Sequence, residues 1–340
     1  MRKSNFELLR IVAMLLIVAS HYAGWIQPQF SVETVTFNRV LNQTLCFGGG
    51  AGNIIFFLIS GYFWKDSSDN GRRILRLWCE MFFYSVICMA FAIVVCGARS
   101  IRLFIAAVLP FSHGEYWFMT AYMVIMLLMP WINMLIRNLD KKSHQKLLMV
   151  LFILTSIIPT IPGCPTTIIS DVGFYLFIYL TGVYLCRYPD DFPGSRKINL
   201  LATVFFSIGL TSTVICFDFL GMKHNSLVEN TGYFLRMQSP LVIFWALSVF
   251  WIFRMIKMKE HRLINYISGS VLGVYLIHNN KNIRDFMWQF IFKNVQLESP
   301  YMFMHLLLSV AGIFSVCIVI DLVRREILEK PLFKLADKKH

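Results

Sequence analysis

Arg10 and His21 are the residues from which a chemistry can first be argued, because both sit in one apolar stretch, FELLRIVAMLLIVASHYAGW, Phe6 to Trp25. Ionisable side chains in an apolar run of membrane length are costly, so they face a cavity or a partner and mark function. His21 lies eleven positions after Arg10. At about 100° per residue this is three turns plus about 20°, which puts both side chains on one helical face. The rise between them is about 16 Å, half of a hydrocarbon core of about 30 Å. Glu7, three positions before Arg10, can neutralise part of its charge. The stripe therefore offers a guanidinium near one membrane surface, suited to an anion. Towards the other surface it offers an imidazole, suited to proton transfer or nucleophilic attack.

Three further stretches add candidate residues. In SSDNGRRILRLW, the cluster Arg72, Arg73 and Arg76 lies on the membrane side expected for Arg10. It serves either as a topological anchor or as a site for a polyanionic ligand, since the guanidinium fork matches phosphate. In HGEYWFMTAYMVIMLLMPWIN, His113, Glu115, Tyr116 and Trp117 fall at the opposite surface. The aromatic pair suits an interfacial belt, whereas Glu115 can bind or deprotonate a polar ligand. In SGSVLGVYLIHNN, Ser268, Tyr275 and His278 stand at i, i+7 and i+10 on one face of a continuous helix, with His278 at a depth similar to His21.

The elements that must position these residues are membrane helices. The chain has 340 residues, 57% of them hydrophobic and 15% aromatic, with mean hydropathy +0.61. Repeated apolar runs of about 20 residues define a polytopic, all-α membrane bundle. Ten spans are expected, at 6–26, 46–64, 76–97, 116–137, 146–162, 172–187, 198–216, 236–256, 264–280 and 302–324. The apolar piece 101–111 is too short to cross and is expected to be re-entrant or interfacial. Residues 1–340 are expected to form a single domain. The longest loops fall at about 217–235 and 281–301, so any chemistry takes place in the bundle or on short loops. With the N-terminus in the cytoplasm, 23 of the 32 Lys and Arg residues fall in inside segments and 8 in outside ones, Arg10 being the remaining one. That bias, with an even number of spans, places both termini in the cytoplasm.

Several function classes are set aside by the same observations. The net charge of +13 follows topology and is no footprint of a nucleic-acid partner. The eight Cys residues show no CxxC spacing, which argues against a disulfide framework, and no metal site is expected. The Gly48–Gly52 cluster lacks the Lys-Ser or Lys-Thr of a phosphate loop and suits close helix packing. A cleaved signal peptide would not carry Glu7, His21 and Tyr22 and then lead into nine more spans.

Taken together, these stretches resemble the acyltransferase-3 family, integral-membrane bacterial enzymes that O-acylate glycans. The resemblance covers most of the chain. It rests on FELLRIVAMLLIVASHY, on NIIFFLISGYF, on RRILRLW, on YWFMTAYMVIMLLMPW and on GVYLIH. It implies a core of ten helices in the bacterial cytoplasmic membrane, among lipids. It also implies a cytoplasmic acyl-CoA donor, usually acetyl-CoA, and a hydroxyl of a cell-surface or lipid-linked glycan as acceptor. By position, Arg10 and His21 match the family's essential pair, Arg73 and Arg76 its cytoplasmic arginines, and Trp117 and His278 further motif positions. The expected catalytic set is then His21, Arg10, Glu115 and His278, and the donor site is Arg10, Arg72, Arg73 and Arg76. An acyl-bearing arm threading between helices would present its thioester to His21, with Tyr22 and Asn53 as candidate oxyanion donors.

Two other classes meet part of this pattern. A transporter or flippase of a lipid-linked sugar also needs ionisable residues within spans and basic loops, but the sequence shows no paired repeats. A sensor or scaffold leaves the Arg10–His21 stripe unexplained.

Overall fold

The computed structural model describes residues 3–26, 34–64, 70–98, 100–113, 116–164, 171–192, 194–292, 297–329 and 331. Helices make up the fold, and there is no strand among the described residues. With no water to pair backbone groups in a bilayer core, a spanning segment must satisfy them within itself, and the apolar runs accordingly become helices. In chain order they are α1 (Ser4–Trp25), α2 (Phe37–Leu45), α3 (Phe47–Tyr62), α4 (Asn70–Val94), α5 (Ile101–Val108), α6 (Trp117–Arg137) and α7 (Lys141–Phe152). A π-helical turn (Ile153–Ile157) joins α7 to the short α8 (Ile158–Thr160). Then come α9 (Asp171–Arg187), α10 (Arg196–Lys223), α11 (Pro240–Met255), α12 (Arg262–Ser268), α13 (Val271–His278), α14 (Lys281–Phe286) and α15 (Met302–Arg324).

Eight of these stretches are long and apolar enough to cross a membrane, so the chain is a multi-pass membrane protein. The two expected spans outside that group have physical peculiarities. Span 172–187 is α9, whose 17 residues rise only about 26 Å. Span 264–280 is not one helix: it breaks at Gly269–Ser270 into α12 and α13. Arg325 supports the break by donating from Nη1 to the Tyr266 carbonyl at 3.1 Å and to Ser270 Oγ at 2.9 Å. A broken helix leaves carbonyls without intrahelical partners, and the guanidinium meets one of them. A Cβ on Gly269 would lie 2.8 Å from that guanidinium.

The expected second span, 46–64, is extended by α2 back to Phe37. Apolar patterning misses α2 because its inward residues are polar. Arg39 Nε donates to both carboxylate oxygens of Asp218 on α10 at 3.3 Å, and Gln43 Nε2 donates to Oδ1 at 3.1 Å. The expected loop 217–235 is shortened likewise, because α10 runs to Lys223. Within 281–301 the chain forms α14 and a π turn, Met287–Ile291. The apolar piece at 101–111 is the eight-residue α5, too short to cross.

The core centres on α3, which packs against α1, α9 and α11. Its glycines set the approach. Added Cβ atoms on Gly48 and Gly52 would fall 2.8 and 2.6 Å from the Leu16 and Ala13 carbonyl oxygens of α1. On the other side, Gly61 meets Gly182 of α9, and a Cβ on Gly61 would lie 2.1 Å from the Tyr179 carbonyl oxygen. Without a hydrophobic drive between helices in lipid, this backbone approach is a main source of their packing. Gly61→Val should therefore separate α3 from α9 at a cost of at least about 1–3 kcal/mol. A lowered melting temperature in detergent would report it, and an unchanged one would refute the close contact.

Candidate functional site

The stripe on α1 is realised. Arg10 Nη1 pairs with Glu7 Oε1 at 2.6 Å, and Ser268 Oγ donates to Glu7 Oε2 at 2.6 Å. Both carboxylate oxygens are thus engaged, one by the cation and one by the end of α12. At the far end of the same helix, His21 Nδ1 lies 2.9 Å from His278 Nε2, with ring centroids 5.0 Å apart. α1 and the α12–α13 pair therefore run in the same direction and touch near both ends. Ser268 and His278 thus both meet α1 across the break, while the Tyr275 ring packs against Phe118 of α6.

The proton positions in the histidine pair follow from its partners. His278 Nδ1 is 2.5 Å from the Val274 carbonyl, which can only accept, so Nδ1 carries a hydrogen. In a neutral imidazole Nε2 is then an acceptor, and it takes the hydrogen of His21 Nδ1. His21 is left with a lone pair on Nε2. His278 is fully buried, which holds its ring, and through it the tautomer and orientation of His21. Such an imidazole can act as a base or as a nucleophile.

At the Arg10 end lies a cavity of about 280 Å³, lined by Arg10 and Met14 of α1, Phe56 and Ser60 of α3, Arg73, Leu77 and Glu80 of α4, Phe118, Met119 and Tyr122 of α6, and Ser268, Gly269, Val271, Leu272 and Tyr275 across the break. Arg73 Nη2 donates to Tyr122 Oη at 2.9 Å, and Ser60 Oγ is 3.0 Å from the same oxygen. The cavity holds two guanidinium groups, Arg10 and Arg73, which suits an anionic ligand. On α1 it extends to Met14, about 10 Å of helix rise short of His21. On α13 it extends to Tyr275, whose ring centroid is 6.4 Å from that of His278.

The expected residues separate into groups. His21 and His278 come together, and so do Arg10 and Arg73. Arg72 and Arg73 are both exposed, but only Arg73 lines the cavity. Arg76 turns away to Glu329, at 3.8 Å. Glu115 lies outside the described residues. Trp117 is stacked on Tyr175 at 6.3 Å. Tyr22 directs its hydroxyl to α15, 3.0 Å from His305 Nδ1. Asn53 is buried in α3.

Sequence reasoning did not single out Tyr122, Glu80 or Arg324. Arg324 Nε meets Asp321 Oδ1 at 2.8 Å, and its Nη2 meets Glu80 Oε1 and Glu329 Oε2, each at 3.1 Å. Tyr84 Oη donates to Asp321 Oδ1 at 2.7 Å. These groups join α4 to α15. Glu80 is seven positions after Arg73 and both line the cavity, so the network fixes the rotation at which α4 presents Arg73. A carboxylate inside the expected third span was the available signal.

A helical membrane bundle with an oriented imidazole at one end and a basic cavity at the other suits a membrane enzyme, and the family match gives the class: it is a membrane acyltransferase. The Acyl_transf_3 family model, an acyltransferase domain, matches residues 3–324, and the chain belongs to that family. No curated protein and no solved structure matches it.

Proposed function

We propose that this protein is an O-acetyltransferase of a bacterial cytoplasmic membrane. It takes an acetyl group from cytoplasmic acetyl-CoA and places it on a hydroxyl of a cell-surface or lipid-linked glycan. The observation that carries this reading is the histidine pair, whose hydrogen-bond order leaves His21 Nε2 unprotonated. The phosphates of the donor lie at Arg10 and Arg73, and its thioester arm reaches along α1 towards His21, a rise of about 16 Å from Arg10. His21 Nε2 takes the proton of the sugar hydroxyl as that oxygen attacks the thioester carbonyl. The C–S bond then breaks and the proton passes to the departing thiolate. In the two-step form Nε2 itself attacks, the thiol leaves, and the hydroxyl displaces the acyl group from the ring. In either form His278 stabilises positive charge on His21 by accepting from its Nδ1.

The test uses membranes containing the wild type or His21→Ala, with acetyl-CoA labelled in the acetyl group. Label should pass to glycan with the wild type and not with the variant, and an acid-labile label on the protein would favour the two-step form. A transporter is the second reading, favoured by the break at Gly269–Ser270, because discontinuous helices build transporter sites. No thioester consumption by either protein, with acceptor present and other short acyl-CoA donors also tried, would leave transport as the better account.

The donor site carries its own prediction. Arg10→Ala and Arg73→Ala should each raise KM for acyl-CoA about tenfold, the loss of one charge-assisted contact. Arg72→Ala should change it less than about threefold, because Arg72 does not line the cavity. Arg10→Ala combined with His21→Gln should lose less than the product of the single losses if both serve one site. Equal KM effects at Arg72 and Arg73 would contradict the cavity as the donor site.

A further inference from the structure

A second cavity, of about 360 Å³, opens at the histidine end of the bundle, where Thr160, Asp171, Tyr233, Arg236, Gln238 and Ser239 are among its lining residues. We propose that it is a sugar subsite, holding a neutral pyranose of the acceptor glycan other than the one that is acylated. This rests on the glycan acceptor proposed above.

Its place follows from contacts. Tyr175, one turn after Asp171 on α9, donates from Oη to Met237 Sδ at 3.3 Å. Met237 also abuts Gly50 of α3, and the neighbouring Gly49 abuts Ser20, the residue before His21. Through Gly50 and Gly49 of α3, Met237 thus links the rim of the cavity to the turn of α1 that precedes His21. A glycan crossing the end of α3 would present one unit to His21 and a more distant one to the cavity.

Three features make it a built polar site. Ser239 is buried, 1% exposed, and its hydroxyl has no hydrogen-bond partner. Buried hydroxyls are ordinarily paired, so an unpaired one in a cavity wall is a place for a ligand oxygen. Asp171 and Arg236 both line the cavity, and no ion pair joins them among the described residues. One offers an acceptor and the other offers donors, while their charges cancel. The Arg236 guanidinium lies over the Tyr233 ring at 4.6 Å, which orients it in advance. Gln238 and Thr160 add amide and hydroxyl groups, so the set matches the alternating donors and acceptors of a polyol and selects against a strongly anionic unit. The volume is at the lower end of small-molecule sites.

The wall itself is irregular. Pro159 forces it, because a proline cannot donate to the carbonyl four residues back and its ring crowds that carbonyl. The preceding turn, Ile153–Ile157, widens to a π-helix, a feature found frequently at functional sites. Within it Ser156 Oγ donates to the Gln238 carbonyl at 2.6 Å, tying this wall to the segment that carries Ser239.

The test is binding of two neutral disaccharides, maltose and diacetylchitobiose, to the purified full chain in lipid nanodiscs, read by saturation-transfer NMR. The wild type and His21→Ala should both transfer saturation to at least one of them. Asp171→Asn combined with Arg236→Gln should weaken that binding about tenfold or more. Ser239→Ala, which removes the hydroxyl without adding volume, should weaken it in the same direction and covers the case in which the double variant misfolds. Saturation of neither sugar, or equal saturation in wild type and well-folded variants, would overturn the subsite. Labelled acetyl transfer measured with the same preparations separates the two claims. Transfer without variant-sensitive sugar binding removes the subsite and leaves the acyltransferase reading. Variant-sensitive sugar binding without acetyl-CoA consumption does the reverse.

Discussion

Replacing His21 by alanine should lower acyl transfer by about 10²–10⁴-fold, the range for loss of a positioned acid–base group, and His278→Phe should cost nearly as much. The second half of this expectation comes from the hydrogen-bond order. With Val274 accepting from His278 Nδ1, the only ring atom left to receive the His21 proton is His278 Nε2. Phenylalanine keeps the ring volume and removes that acceptor. His21 then loses the group that holds its hydrogen on Nδ1, and its lone pair is no longer fixed on Nε2. The double variant should be little worse than either single one, because residues acting as one unit are not additive. His278→Gln should recover part of the loss, since an amide oxygen can accept from Nδ1–H. The measurement is the initial rate of label transfer at saturating acyl-CoA, normalised to the amount of folded protein. Losses that multiply in the double variant would contradict a single hydrogen-bonded unit.

Arg324→Met should destabilise the fold by about 3–5 kcal/mol, the usual cost of removing one partner from a buried ionic group. The arginine is the cation common to Glu80, Asp321 and Glu329, and its removal leaves three carboxylates close together. Lysine should not rescue it, because one ammonium cannot reproduce the fork that meets Asp321 through Nε while Nη2 meets the two glutamates. The effect should reach the donor site as well. Glu80 and Arg73 share a face of α4, so a variant that still folds should show a raised KM for acyl-CoA with a smaller change in kcat. Unfolding in detergent followed by tryptophan fluorescence gives the first quantity, and donor titration the second. A melting temperature equal to that of the wild type would remove the network from the account of stability.

The sequence carried the helical membrane class, because apolar length is a local property. It also carried the α1 stripe and the small-residue packing of α3, which follow from helical period and residue size. Other features depend on partners far along the chain. Arg39 and Gln43 read as loop residues until Asp218, 175 positions beyond Gln43, is brought to them. The break at Gly269–Ser270 is supported by Arg325, 55 positions after Ser270, and the Ser268-Gly269-Ser270 tripeptide was its local signal within 264–280. The basic cluster divides because Arg73 reaches Tyr122 of α6 whereas Arg76 reaches Glu329. Spacing alone treats those arginines alike. His21 and His278 could be placed at one depth from sequence, but their direct contact across 257 positions depends on the tertiary packing of α1 against α13.

The two contacts between α1 and the α12–α13 pair have unequal contour lengths. Glu7 to His21 is 14 positions, about 21 Å of rise, and Ser268 to His278 is 10 positions, about 15 Å. The break lets the shorter segment meet the longer one at both ends. This bears on how homologous chains can differ in length. An insertion between Val271 and His278 turns the imidazole by about 100° about the helix axis and carries it away from His21. A length change at Gly269–Ser270 falls where the helical phase is already interrupted, so it can be taken up by the junction while α13 keeps its own phase. Indels among related chains should accordingly gather at that junction, with seven residues from Val271 to the one before the histidine held fixed.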